Sequence, residues 1–449
     1  MSVPLPDLPR KVGLWGGLAV LIGVVIGSGI FQTPADIARA SGSPALILAL
    51  WALGGLIALA GALSFAELAA MLPRSGGLYV FLRAGFGDCP AFVFGWTYML
   101  LTKPAAAGGI AIIFSEHLKS LTGWELNAPL LTCLTLTILT IINWLGVTGS
   151  TRLAIALSAI KYTAIAAIIL LGVAAAMGLR PASAPPPPGF LSTPPPMALL
   201  PALAIIMAGI MWTYDGWADV GSIAGEVRHP GRTLPRVLFL GTLAVVVLYV
   251  LINAVYLYHV PLTAMRDTTT VAPLLTERLI GPAGAAAVTV LIILSTLGSS
   301  HVSVMTGARV TFAQARDGLL FSVLGCIDSR TQTPAVALFT QLALSCLAVS
   351  LLQDFASLAS TFVFTIWIFY GLGAAAVLVL RRTAPDAPRP FRVPFYPLLP
   401  ILFILASVGM TALQFSAAPA KSALWLAVLA AGVPAFFLWR RLHPPARPA

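Results

Sequence analysis

Residues 24–34 read VVIGSGIFQTP. The run is apolar enough to lie inside a membrane, yet Gly27-Ser28-Gly29 stands in its middle. Glycine costs a helix roughly 1 kcal/mol against alanine and lets the backbone leave the helical path. Backbone groups freed at that depth are tolerated only where protein or a water-filled cavity covers them. Five apolar segments later the pattern recurs. Residues 210–226 read IMWTYDGWADVGSIAGE, with Tyr214-Asp215-Gly216-Trp217 inside the run. Interruptions at corresponding places in two halves mark a carrier built from inverted repeats. At each break one half-helix ends in unpaired N–H groups at a positive dipole end, the other in unpaired C=O groups. A zwitterion such as an amino acid needs both. Its carboxylate suits the half-helix that begins at Gly29, and its ammonium suits carbonyls near Val25 and Trp212. The glycines also admit a second reading, as small-residue packing pairs: Gly23 with Gly27 and Gly221 with Gly225.

The rest of the chain fits a membrane setting. Of 449 residues, 59% are hydrophobic and 9% charged, where a soluble domain carries about 25% charged residues. Twelve spans are predicted, near 13–33, 44–71, 89–115, 129–146, 153–178, 198–224, 238–259, 285–308, 334–352, 355–380, 398–416 and 422–440. The first has no small-residue cleavage site and is expected to stay as a helix. Connections are short. Residues 181–197 (PASAPPPPGFLSTPPPM) read as a stiff, extended loop.

With the N-terminus inside, the inner side receives eighteen of the 26 Lys and Arg residues. The outer side receives Arg39, Lys119, Arg180, Arg266, Arg278 and Lys421, and Lys103 and Lys161 remain within spans. This positive-inside asymmetry puts both termini in the cytoplasm. It also accounts for the net charge of +11 without a nucleic-acid partner. Cys89, Cys133, Cys326 and Cys346 show neither metal nor redox spacing. No metal and no cofactor is expected.

Ionisable residues inside a membrane are costly and usually functional. Lys161 lies early in the fifth span, in TRLAIALSAIKYTAIAAII. Either it is a fixed cation that binds the broken first helix, where a coupled carrier would place sodium, or it snorkels to the interface. Asp215 either attracts a cationic group or caps N–H groups freed at the break. Asp219, one turn on, is expected to face the bundle interior. Lys103, before Pro104, lines a cavity or pairs with an acid. Glu67 is expected to pair with Arg74 or Arg83, and His301 to be a core residue rather than a proton relay.

These residues carry a resemblance. The chain resembles the amino acid–polyamine–organocation superfamily, in its L-type amino-acid transporter branch. The shared elements are GVVIGSGIFQTP at 23–34, SFAELAAMLPRSGGLYVFL at 64–82, Lys103-Pro104 and YDGW at 214–217. GEVRHPGRTLPR at 225–236, STLGSSHVSVMTGARVTFAQARDGLL at 295–320 and RPFRVP at 389–394 complete them.

The resemblance implies an all-α polytopic membrane protein of LeuT-type fold: twelve transmembrane helices, broken at 1 and 6. Residues 1–180 would form the first inverted repeat, 181–382 the second, and 383–449 two extra helices with the C-terminal tail. It implies sodium-independent uptake or exchange of neutral L-amino acids; the compact loops and the lack of a partner cysteine point to a bacterial inner membrane. Gly27, Ser28 and Gly29 would bind the carboxylate. Val25, Trp212 and Asp215 would serve the ammonium, with Ile26, Ile30, Tyr214 and Gly216 completing the two breaks. Trp212 would act as gate, Trp367 and Lys103 would border the cavity, and Lys161 with Ser299 would replace a sodium site. Animal relatives of this branch bond a heavy chain through a cysteine after span three. Residues 116–128 contain none, so no disulfide-linked partner is expected.

Asp215 keeps a second substrate class open, cationic amino acids or polyamines. HExxH, GxSxG and P-loop motifs are absent from the sequence, which argues against an enzyme. A non-transporting nutrient sensor on the same fold is the alternative from a different class.

Overall fold

The computed structural model describes residues 10, 12–27, 29–145, 147–179, 192–194 and 196–443, the side chains at 147–155, 157 and 158 excepted. Ser28, Lys11 and most of the proline-rich 181–197 stretch lie outside the described residues.

Lipid leaves no partner for a backbone N–H or C=O, so each span must bond within itself as a helix. The first crossing is α1 (Leu14–Val25) followed by α2 (Gly29–Ala40), and α3 (Pro44–Met71) follows. The short α4 (Leu78–Phe86) precedes α5 (Asp88–Thr97), a π-helical turn Tyr98–Thr102 and α6 (Lys103–Thr122). Next come α7 (Ala128–Leu145), α8 (Val147–Ala176) and α9 (Leu199–Thr213), then the 3-10 segment Trp217–Glu226 and α10 (Pro230–His259). The short α11 (Leu262–Arg266) and α12 (Val271–Ile280) lead to α13 (Pro282–Arg316). The chain ends with α14 (Ala335–Leu352), α15 (Phe355–Thr383), α16 (Leu398–Ala417) and α17 (Pro419–Leu442). Twelve crossings among the described residues are long and apolar enough to span a membrane. This is a multi-pass membrane protein, and the first and sixth crossings are broken where the glycines stand.

The two breaks interlock. α2 packs on α9, and α1 packs on the 3-10 segment. A Cβ on Gly29 would stand 2.6 Å from Thr213 Oγ1 and 3.0 Å from Thr213 Cα. Gly216 has φ +114, and a Cβ there would meet Val24 Cγ1 at 2.6 Å. Both glycines are thus required by close approach, and Gly216 by its backbone conformation as well. The packing reading also holds for Gly221 and Gly225, whose faces abut Gly77 Cα and the backbone N of Ser75.

Arginine and lysine contacts sort into two ends. At one end Arg39 donates to the carbonyls of Arg266 and Thr268, and Arg266 donates to Ala38, Ser41 and Thr193. At the other, basic end, Arg83 bridges Asp88 and Asp317, and Arg309 meets Glu226 at 3.1 Å.

Glu67 corrects its expected pairing. It is 1% exposed, turned inward from the last turns of α3. Its carboxylate accepts from Arg381 Nε at 2.9 Å and Nη2 at 2.7 Å, and from the Val393 N–H at 2.7 Å, with Arg389 Nε 3.6 Å away. Arg74 and Arg83 instead turn to Asp317. Glu67→Gln leaves the two arginines without their counter-charge. It is expected to destabilise the fold by about 1–3 kcal/mol, read as a lowered thermal midpoint in detergent.

Candidate functional site

The first break is closed by a cation. α1 ends with the carbonyls of its last turn unpaired and at the negative end of its dipole. Lys161, 1% exposed on α8, places Nζ 3.3 Å from Gly23 O, 3.1 Å from Ile26 O and 2.7 Å from Ser299 Oγ. Ser299 Oγ itself stands 3.2 Å and 3.3 Å from the same two carbonyls. Of its two readings, Lys161 takes the one that binds the broken helix, because its stem runs inward. The Val25 carbonyl is not free for an ammonium. It accepts from Tyr249 OH at 2.9 Å and from the Gly27 N–H at 2.8 Å, which occupies both lone pairs. Beyond the break, α2 begins at Gly29 with its first N–H groups unpaired within the helix.

A cavity with about 820 Å³ of empty space, open ends included, lies against both breaks. Toward one end the Trp212 ring meets Phe355 and Phe362 edge-on, with centroids 5.4 and 5.2 Å apart. At the basic end the cavity reaches Gly76, Gly77, Ser222 and Val310. Between them lie three ionisable side chains, Lys103, Asp219 and Asp215. Lys103 Nζ is 3.2 Å from Asp219 Oδ2 and 3.1 Å from Thr306 Oγ1, and Thr306 Oγ1 is 3.1 Å from Asp219 Oδ2. Asp215 Oδ1 accepts from Tyr370 OH at 2.7 Å.

Lys103 owes its position to its neighbour. Pro104 has no N–H, so the hydrogen-bond ladder slips. The Lys103 N–H reaches back five residues to Tyr98 O, producing the π-helical turn. The extra residue turns Tyr98 and Lys103 to the cavity, with Nζ 5.9 Å from the Tyr98 ring centroid. Both readings of Lys103 hold: it lines the cavity and pairs with an acid.

Of the residues expected at the site, Val25, Gly27, Gly29, Lys103, Trp212 and Asp215 border the cavity. Ser28 lies outside the described residues. Ile26 gives its carbonyl to Lys161, and Ile30 is fully buried in the core. Gly216 packs on Val24, and Tyr214 turns away to give its OH to Trp51 O at 3.1 Å. Trp367 also departs from expectation. It packs on Phe403, centroids 5.7 Å apart, while Tyr370, three residues on, takes the cavity wall. A tenth helix apolar on nearly every face gives no sequence cue to its rotation. Asp219 faces the bundle interior as expected; Tyr98 and Phe362 border the cavity with it and Thr306 joins through Asp219, three residues that carry no such expectation from the sequence. The Lys103-Pro104 pair was the available signal for Tyr98. His301, 1% exposed, meets Asn143 Nδ2 at 3.2 Å, as a core residue would.

A family model described as amino acid permease matches residues 12–434. The human cystine/glutamate transporter is 31% identical over 438 residues, covering 96% of this chain and 86% of that protein. The mouse b(0,+)-type amino acid transporter 1 is 30% identical over 440 residues, 96% and 88% of the two chains. The mouse large neutral amino acids transporter small subunit 2 is 31% identical over 437 residues, 96% and 81%.

Proposed function

The chain belongs to the amino acid permease family, and from that premise we propose that it exchanges neutral L-amino acids across a bacterial inner membrane without sodium. The observation that carries the proposal is the Lys161 ammonium on the carbonyls of Gly23 and Ile26. A resident cation already supplies the positive charge that a coupled carrier would draw from sodium. The carboxylate of the substrate then faces the N-terminus of α2 at Gly29, with Gly27 beside it. The ammonium faces Asp215 and the carbonyls that end α9, since Val25 O is taken. Trp212, held by Phe355 and Phe362, closes over the substrate from one side. Alternating access exposes this site to each side in turn; the repeats 1–180 and 181–382 each bring one broken helix to it, with 383–449 appended. Both termini lie in the cytoplasm with the basic end, and the chain needs no disulfide-linked heavy chain.

One observation favours a second substrate class. Lys103 is neutralised by Asp219, and among the described residues no Lys or Arg stands within ion-pair distance of Asp215. A cationic side chain would supply the missing charge.

Proteoliposomes preloaded with alanine distinguish these readings. Labelled alanine uptake that requires internal substrate and ignores external sodium is expected. Uptake into empty vesicles, or a steep sodium dependence, would sink the exchange reading, and binding without flux would indicate a sensor. Arginine counterflow that is lost in Asp215→Asn while alanine exchange survives would move the assignment to cationic substrates.

A further inference from the structure

A second cavity lies at the basic end, away from the substrate site. It encloses about 1200 Å³ of empty space, open mouth included, between the end of α13 with the turn after it, the α4–α5 junction and the end of α17. Helices α13 and α17 end here at Arg316 and Leu442, so the groove stands where the hydrocarbon layer gives way to headgroups.

An alternating chain of charges runs along the groove and ends beyond its lining at Arg74. Arg440 pairs with Asp88, Asp88 with Arg83 at 2.8 Å, Arg83 with Asp317 at 2.6 Å, and Asp317 with Arg74 at 3.4 Å. Three arginines meet two aspartates, and an arginine stands at each end of the series. Each carboxylate occupies only part of a guanidinium. Arg83 uses Nε and Nη1 and Arg440 uses Nη2, so each keeps N–H donors for another anion. Tyr79 OH also reaches Asp317 Oδ2 at 3.1 Å. Burial, then the Asp317 carboxylate, raise the Tyr79 pKa above its ordinary value, so the phenol remains a donor.

The rim is apolar and aromatic. Phe321 is 59% exposed and Val323 53% exposed. The Trp439 ring meets Phe321 edge-on at 5.0 Å, stacks on His443 at 4.0 Å, and donates Nε1–H to Gly318 O at 2.9 Å. Spare arginine N–H donors at a helix-end boundary, with Arg74 beyond the groove leaving the series one positive charge in excess and exposed apolar side chains along the rim, match a phosphate joined to acyl chains. A free anion would have no use for the rim.

We propose that this groove binds the headgroup of an anionic diacyl phospholipid. Arg440 and Arg83 take the phosphate, and Phe321, Val323 and Trp439 lie along the acyl chains. The site also touches the transport path indirectly. Tyr79 and Arg83 sit on α4, and Gly77 at the start of α4 borders the substrate cavity. A bound lipid would therefore steady the cavity floor.

The test is thermal stability of the purified full chain in neutral detergent, titrated with dioleoylphosphatidylglycerol, dioleoylphosphatidylcholine or inorganic phosphate. Phosphatidylglycerol is expected to raise the midpoint by several degrees, and the other two to leave it within error. Arg440→Gln should lose at least half of the shift. Asp88→Asn, which removes a competing carboxylate, should keep or enlarge it, and carries the test if Arg440→Gln does not fold. An equal shift with phosphatidylcholine, the same shift with phosphate, or a full phosphatidylglycerol shift in Arg440→Gln would overturn the proposal, as would loss of the shift in Asp88→Asn. No transport is measured, so the outcome is independent of the substrate assignment.

Discussion

Lys161→Met is expected to cut amino-acid exchange in proteoliposomes below about one per cent of wild type, while Ser299→Ala costs only several-fold. The ammonium holds three acceptors, Gly23 O, Ile26 O and Ser299 Oγ, in a site that is fully buried. Hydrogen bonds to a charged group contribute about 1.5–3 kcal/mol each, and about 1.4 kcal/mol is a factor of ten. Loss of two of them without replacement therefore exceeds a hundredfold. Methionine keeps the stem and its packing but leaves the end of α1 with carbonyls that nothing neutralises. Ser299→Ala keeps the cation and removes one acceptor, so it isolates the charge from the cradle. Uptake of labelled alanine in alanine-loaded vesicles measures both variants, and a thermal midpoint in detergent separates a folding defect from a transport defect. Wild-type uptake by a folded Lys161→Met protein would remove the lysine from the mechanism.

Such a role was partly legible in the sequence, and the reason is local. A lysine inside an apolar run and a glycine pair inside another each violate a rule that lipid enforces within a few residues. The breaks at Gly27–Gly29 and Tyr214–Trp217 were legible for the same reason. What escaped depends on the rotation of helices and on distance along the chain. Lys103 and Asp219 are 116 residues apart, and nothing in either segment names the other. Glu67 finds Arg381, 314 residues away, although Arg74 and Arg83 are closer in sequence. Trp367 and Tyr370 differ by less than one turn, and a helix apolar all round does not say which of them faces a cavity. The short α4, α11 and α12 carry no such mark, because none of them is a long apolar run. Pro104 was visible, and its missing N–H could have announced the π-helical turn that turns Tyr98 and Lys103 inward.

The Lys103–Asp219 pair should behave as one unit. Lys103→Met alone leaves the Asp219 carboxylate with Thr306 as its remaining side-chain donor, in a wall where Lys103 and Asp219 side chains are only 7% and 19% exposed. Removing one partner of a buried pair typically costs about 3–5 kcal/mol, while removing both is often close to neutral. Lys103→Met and Asp219→Asn are each expected to lower the thermal midpoint clearly. Asp219→Asn should do so less, because its amide can still reach Thr306. The double variant should recover most of the stability lost by Lys103→Met, a coupling that a double-mutant cycle reads directly. Exchange should fall at least tenfold in Lys103→Met. It should return only in part in the double variant, because the pair also joins α6 to the 3-10 segment beside the cavity. Additive losses in the cycle would mean that the two charges act independently. The pair would then be two cavity-lining groups, not a single contact between the halves.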